Sequence, residues 1–230
     1  MLLTRALPES REIAGVLEQS GIASEIWPLT RIVLCGGPVE PPAGTDGLLA
    51  TSAHGIRSLA AGTPRRDLPV LAVGARTADV ARGLGFGAVL SADGDAAALA
   101  LLVRASGLRR LFHPRGAETA GDLPGRLADR GIAVIERVVY AAEPAGPAPA
   151  PVAHALAAGR VAVGTLWSAR HAEILCDRLA PAAAPATRWL AISERAAAPL
   201  HAAGFSTVEA SPRPDRAAML DRLRELLPPF

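Results

Sequence analysis

The chain has no lysine, only two cysteines, a single tyrosine and 3% aromatic residues, so it is short of the side chains from which recognisable sites are usually built. Cys35 and Cys176 are too far apart for any metal or redox spacing, and both read as reduced, buried thiols. Every one of the 24 basic residues is arginine, offset by 22 acidic residues mixed along the chain, for a formal net charge of +2. That balance excludes the basic stripe of a nucleic-acid binder. Arginine in place of lysine follows from genome composition or from a use of its planar fork on carboxylates. Long hydrophobic runs are missing as well: the longest, Ala96–Val103, falls short of the ~18 residues that span a bilayer, despite a mean hydropathy of +0.26. A charge already at Arg5 leaves no room for the ~7–15-residue apolar segment of a secretory signal, so a cytoplasmic protein is expected.

The strong catalytic signatures are absent too, among them GxxxxGK[ST], an early GxGxxG, GxSxG, HExxH and CxxC. The five histidines, His54, His113, His154, His171 and His201, form no i,i+4 pair, which removes the usual warrant for a metal site.

What is present is half hydrophobic, mainly Ala, Val, Leu and Ile, in short apolar runs that alternate with amphipathic stretches. This is the pattern of an α/β protein. Strands are predicted at Leu2–Thr4, Gly47–Ala50, Val70–Val73, Ala88–Leu90, Arg110–Phe112, Ala133–Ala141, Val161–Gly164, Trp189–Ala191 and Thr207–Glu209, with helices between most of them. The last helix, Asp215–Leu227, sets Met219, Leu220, Leu223 and Leu226 on one core-facing stripe. Two proline-rich stretches, Gly36–Gly44 and Glu143–Pro151, read as linkers and suggest two small domains.

The chain also repeats itself. Arg5, Leu17, Gly21 and Ile22 recur at one constant offset as Arg115, Leu127, Gly131 and Ile132. Ala72, Gly85, Phe86 and Val89 recur at another as Ala191, Gly204, Phe205 and Val208, and between them Ser52 corresponds to Ser168. Two kinds of unit therefore alternate along the chain, each occurring twice.

Candidate chemistry collects at strand-to-helix junctions, where open α/β sheets place ligands. Thr51 and Ser52 end one strand, and their hydroxyls can cap the next helix, with or without ligand contact. Ser168 and Ser193 occupy related junctions. Gly74 opens a helix that carries Thr77 in its first turn, and a glycine there permits close approach of a ligand to the backbone. Arg5 and Arg115 follow strands, as carboxylate ligands or as solvated charges, and Trp167 is packing or a flat wall for a ring. Tyr140, the sole tyrosine, ends a strand where a phenol packs or donates a proton to a leaving group.

Over nearly its full length the chain resembles the uroporphyrinogen-III synthase family. The resemblance rests on the order and spacing of LLTR at Leu2–Arg5, LLATSAHGIRSL at Leu48–Leu59, LAVGARTADVARGLGF at Leu71–Phe86, Arg115–Gly116, VVY at Val138–Tyr140 and SPRPDRAAML at Ser211–Leu220. It implies two flavodoxin-like parallel-sheet domains with a cleft between them, joined by a two-stranded linker. The first domain would comprise residues 1–32 and 145–230, the second residues 36–139, with linkers near 30–36 and 139–146. The implied reaction is cyclisation of hydroxymethylbilane, with inversion of ring D and loss of water, without cofactor or metal and on substrate received from hydroxymethylbilane synthase. A monomer is expected because the sequence shows no extra interface element. Tyr140 would be the catalytic acid, and Arg5, Thr51, Ser52, Gly74, Thr77, Arg115, Ser168 and Ser193 would bind substrate. The chain departs from the family in two places. In ISERAAA, Ser193 stands for a common Gly and Ala196 for a threonine, and Ala53, His54 and Gly55 stand where an Asn-Ala pair is common. A two-domain module that binds a tetrapyrrole or another anion without chemistry is the alternative.

Overall fold

A computed structural model describes residues 1–118 and 121–227. In chain order the elements are β1 (Leu2–Leu3), α1 (Glu9–Glu18), β2 (Glu25–Ile26) and β3 (Thr30–Leu34). Next come β4 (Gly47–Ala50), α2 (Ala53–Gly62), β5 (Val70–Ala72), α3 (Ala75–Gly83), β6 (Val89–Ser91) and α4 (Ala96–Ser106). β7 (Arg110–Gly116), α5 (Leu123–Ala128), β8 (Ala133–Pro144) and α6 (Ala150–Ala157) follow. β9 (Val163–Leu166), α7 (Ala169–Cys176), β10 (Arg188–Ala191), α8 (Glu194–Ala202), β11 (Val208–Ala210) and α9 (Arg216–Leu226) complete the chain.

The elements divide into two compact units, unit 1 (Met1–Arg31 with Glu143–Phe230) and unit 2 (Ile32–Ala142). The chain passes from one to the other inside β3 and inside β8. Cys35 N–H donates to the Val139 carbonyl and Ala145 N–H to the Leu29 carbonyl, so the partners run in opposite senses.

Unit 1 holds a parallel sheet in the order β2-β1-β9-β10-β11. Unit 2 holds β8-β7-β4-β5-β6, also parallel, with β3 added beside β8. Leaving β3 aside, position by position the two sheets have the same strand order, the flavodoxin-like one, but the shared strands of unit 2 start in the chain from the central one, β4. The repeated segments are the reason. β1-α1-β2 corresponds to β7-α5-β8, and β9 through β11 correspond to β4 through β6. Registers agree as well: Leu2 faces Glu25 as Phe112 faces Ile135, and Trp189 faces Val208 as Val70 faces Val89. The repeated glycines share a backbone reason. Gly21 and Gly131 (φ 73° and 69°), like Gly85 and Gly204 (φ 89° and 85°), reverse the chain after a helix in the left-handed region.

β4 and β9 are buried along their whole length, as the central strands of a parallel sheet covered on both faces must be. In unit 2, Leu48 and Phe112 pack on one face with Ile56, Leu59 and Ala78, and Leu49 and Leu111 on the other with Leu99, Val103 and Leu127. In unit 1, Leu2, Leu166 and Trp189 lie on one face, and Leu3, Val163 and Leu190 on the other with Met219 and Leu223 of α9.

Four sequence expectations are revised. β9 runs through Gly164 instead of ending there: a Cβ at Gly164 would lie 2.4 Å from the Trp189 ring, so this glycine makes room for a neighbour and does not punctuate the strand. β2 and β3 are strands that the apolar pattern does not reveal, being two residues long and an edge strand respectively, with little periodicity to detect. The stretch Gly36–Gly44 lies inside unit 2, where Val39 joins the core. Both thiols are partly exposed rather than buried, Cys35 just beyond edge strand β3 and Cys176 at the last residue of α7. Among the described residues no helix is long and apolar enough to cross a membrane.

Candidate active site

In unit 2 the sequence candidates gather at the ends of β4 and β7 and at the adjoining part of β8. Tyr140 does not end its strand, because β8 continues to Pro144 into unit 1, and Arg115 lies within β7 and does not follow it. Ser52 caps α2 in extended geometry (φ -147°, ψ 138°), and its Oγ accepts the His54 N–H at 3.1 Å. The Tyr140 hydroxyl donates to the same oxygen at 2.9 Å. With both acceptor positions of Ser52 engaged, its own hydroxyl proton is left to donate outward. Close packing fixes the tyrosine: a Cβ on Gly116 would sit 2.8 Å from its ring, and the ring lies 5.5 Å from that of His54.

Beside this pair runs a second chain of contacts. Thr51 Oγ1 lies 2.9 Å from His113 Nε2, and His113 Nδ1 lies 3.0 Å from Glu136 Oε1. Arg115 Nε is 3.2 Å from that same carboxylate oxygen, and its terminal nitrogen donates to the Gly116 carbonyl at 3.0 Å. His113 is 3% exposed. Burial holds its imidazole below the ordinary histidine value, and Arg115 adds to this, against the opposing pull of Glu136. Thr51, Ser52, His113, Gly116 and Glu136 all line a cavity of about 270 Å³. That is near the low end of ligand pockets, ~300–1,000 Å³, and suits one part of a large ligand.

Gly74 and Thr77 stand one junction along, at β5–α3. Gly74 occupies the cap position of α3 with no side-chain cap and open space where a Cβ would be, and Thr77 is buried with its N–H on the Gly74 carbonyl at 3.0 Å. A ligand oxygen can approach the helix amides there without meeting a side chain.

Unit 1 carries the remaining candidates on corresponding elements. Ser168 caps α7 by accepting the His171 N–H at 3.2 Å. Ser193 caps α8 and accepts from Ala196 N–H at 3.4 Å. The Arg5 guanidinium lies 4.9 Å from the centre of the Trp167 ring, a cation–π arrangement, and the Trp167 indole donates to Thr165 Oγ1 at 3.2 Å. His171 Nε2 lies 3.2 Å from Thr30 Oγ1, and burial with the nearby Arg5 and Arg170 charges lowers its pKa to about 4. Ser193 stands apart from these groups, at the β10–α8 junction.

The structure thus brings Tyr140 onto Ser52, with Thr51 next in the chain and Arg115 linked to Thr51 through Glu136 and His113. Sequence reasoning misses His113 and Glu136 as site residues. The internal repeat holds the signal that finds them: at the Arg5/Arg115 offset they correspond to Leu3 and Ile26, two apolar positions that have turned polar together on neighbouring strands.

The family model described as Uroporphyrinogen-III synthase HemD matches residues 11–221. A search among curated proteins returns no match. Among solved structures, uroporphyrinogen-III synthetase from Helicobacter pylori is similar at 16% identity, with a TM-score of 0.63 over 88% of this chain and 93% of that one. A mutant uroporphyrinogen III synthase from Thermus thermophilus is similar at 20% identity, with a TM-score of 0.50 over 98% of both chains. The structural likenesses speak to the fold, and the family match covers nearly the whole sequence: the chain belongs to the uroporphyrinogen-III synthase family.

Proposed function

We propose that the chain is a hydro-lyase that closes hydroxymethylbilane to uroporphyrinogen III without a cofactor, and that Tyr140 is its general acid. Family membership supports the ring-closing activity. The observation that carries the assignment of Tyr140 is its hydrogen bond to Ser52 at the cap of α2, beside a cavity at the strand ends of unit 2.

The phenol rests with its proton on Ser52 Oγ. Rotation about its C–O bond redirects that proton to the terminal hydroxymethyl oxygen of the substrate, while Ser52 keeps the His54 N–H. The carbon–oxygen bond then breaks with its electron pair leaving on water, and the adjoining pyrrole nitrogen supplies density to the exposed carbon, giving an azafulvene cation. The substituted carbon of ring D attacks that cation to form a spiro intermediate. The bond from that same carbon to the ring C bridge then breaks, leaving a second azafulvene cation on ring C. The free α-carbon of ring D attacks the bridge carbon, so that the ring is reversed, and loses its proton to restore aromaticity, which balances the proton given up by Tyr140. The unassisted reaction closes without inversion, so the protein's contribution is above all to hold one geometry.

Substrate carboxylates have donors in the outward hydroxyl of Ser52, in the helix amides beyond Gly74, and in the arginines at positions 5 and 115. Thr77, Ser168 and Ser193 set these junctions by packing and capping. In this reading the chain works as a cytoplasmic monomer supplied by hydroxymethylbilane synthase.

The test is a coupled assay that generates hydroxymethylbilane in situ, oxidises the products and separates uroporphyrin isomers I and III. Excess isomer III is expected. Isomer I alone, from protein shown to be folded, would overturn the reading in favour of a module that binds without chemistry.

A further inference from the structure

The hydroxyls of Thr51 and Ser52 are neighbours in sequence but are held with opposite polarity. Ser52 Oγ accepts twice, from the His54 N–H and from Tyr140, so it turns a proton outward. Thr51 Oγ1 meets the ring nitrogen of His113, and its polarity depends on which nitrogen of that ring carries the hydrogen. Two contacts settle that choice. Nδ1 lies 3.0 Å from Glu136 Oε1, and the Arg115 cation pairs with the same oxygen at 3.2 Å, so this oxygen faces donors. A carboxylate accepts only, so Nδ1 must carry the hydrogen. In the neutral ring Nε2 is then a bare lone pair, and it takes the Thr51 proton.

We infer that His113, oriented by Glu136, is a positioning residue that fixes Thr51 as a hydrogen-bond acceptor toward the cavity, where it takes a pyrrole N–H of the substrate and not a carboxylate. The inference rests on the proposed tetrapyrrole chemistry and refines it. Adjacent hydroxyls then read the two unlike groups of a substituted pyrrole, Thr51 the ring nitrogen and Ser52 an acid arm. A carboxylate brought to Thr51 would face a hydroxyl whose proton is already committed. The arrangement belongs to unit 2 alone, since the corresponding positions in unit 1 are Trp167, Leu3 and Ile26.

Two measurements on the full chain decide it. The first is the nitrogen-15 NMR signature of the His113 ring at neutral pH. A protonated Nδ1 with a pyridine-like Nε2 is expected, and the reverse tautomer or an imidazolium overturns the inference. The second compares two probes, a monopyrrole bearing acetate and propionate arms and its N-methyl counterpart, titrated against wild type and Thr51→Val by chemical-shift perturbation. Loss of one neutral hydrogen bond should weaken the N–H probe by about fivefold and leave the N-methyl probe unchanged. Equal weakening of both would place a carboxylate on Thr51, and no weakening, or no binding of either probe to wild type, would likewise overturn the assignment. The isomer assay is independent: isomer III with failed probes retains the reaction and rejects the role of Thr51, whereas isomer I alone rejects the reaction itself.

Discussion

Corresponding strand ends in the two units share a scaffold and differ in chemistry. Ser52 and Ser168 each cap a helix after the central strand, and on the neighbouring strand Arg5 lies just beyond β1 while its counterpart Arg115 lies within the longer β7. Around these shared points nearly every position has changed character. Unit 1 has Leu3 and Ile26 in its apolar core, Ala6 after Arg5, Thr30 entering the connecting strand and Trp167 under the guanidinium. Unit 2 has His113, Glu136, Gly116, Tyr140 and Thr51 in those places. Because unit 1 forms the same sheet with leucine and isoleucine, the sheet itself does not require a buried histidine beside a carboxylate. The imidazole is the buried member and is costly to desolvate, whereas Glu136 reaches solvent, which points to function as the reason unit 2 keeps the histidine.

The largest expected effect comes from the most isolated difference. Tyr140→Phe keeps the ring that packs against Gly116 and removes only the hydroxyl. Turnover to isomer III should fall by about 10²-fold or less, since general acid catalysis contributes 10²–10⁴ and water can stand in for part of it. An unchanged rate would remove Tyr140 from the chemistry and reduce the contrast with Thr30 to packing.

Next is the glycine that admits the tyrosine. In Gly116→Ala the new Cβ would be 2.8 Å from the Tyr140 ring, while at the corresponding sequence positions unit 1 carries Ala6 and Thr30. Overpacking of this kind costs about 1–3 kcal/mol, and the displaced ring should lower turnover by roughly tenfold. Combining Gly116→Ala with Tyr140→Thr imports the pair found in unit 1, so the thermal midpoint should recover while turnover does not. If the double variant is as unstable as Gly116→Ala alone, the clash with the ring is not the source of the loss.

A smaller effect is expected where unit 2 is made to copy the apolar position of unit 1. His113→Leu replaces a buried imidazole with the residue that occupies the corresponding strand position, and it leaves the contact between Arg115 and Glu136 in place. Stability should hold or rise, because a desolvated polar group is exchanged for an apolar one, while KM for the bilane rises about fivefold as Thr51 loses its orientation. A lower thermal midpoint with an unchanged KM would make His113 a brace for the strands.

Much of this contrast is legible in the amino-acid sequence, and what is not has physical causes. The repeat pairs establish strand correspondence because they fall where the backbone allows few substitutes: positive-φ glycines after helices, and serines at helix caps. Thr51 and Ser52 stand out as polar residues at a strand end and Tyr140 as the sole tyrosine, but the bond from Tyr140 to Ser52 joins residues from separate strands, and no local spacing encodes it. His113 and Glu136 are invisible to motif reading for the same reason: the pair meets across two parallel strands. The end of β9 is misjudged from sequence because glycine reads as a stop, whereas Gly164 lies beneath a tryptophan ring.

The smallest effect tests His171, which donates its N–H to the helix cap of unit 1 at the position where unit 2 has Gly55. In the folded chain His171 titrates near pH about 4, lowered by burial and by Arg5 and Arg170, against an ordinary value of 6.5. Between these two values the unfolded chain holds a proton that the folded chain refuses. Stability therefore falls as pH drops through the window and is flat in this contribution above 6.5 and below 4. The residue as a whole is half-buried, so the loss from pH 7 to pH 5 should be roughly 1–2 kcal/mol. His171→Gln retains an amide to meet Thr30 and removes the titration, and its stability, measured by urea unfolding at both pH values, should decline less than that of wild type by this amount. His113 titrates identically in both proteins, so the difference isolates unit 1. Equal declines would show that the acid sensitivity belongs to unit 2, where the buried histidine serves the site.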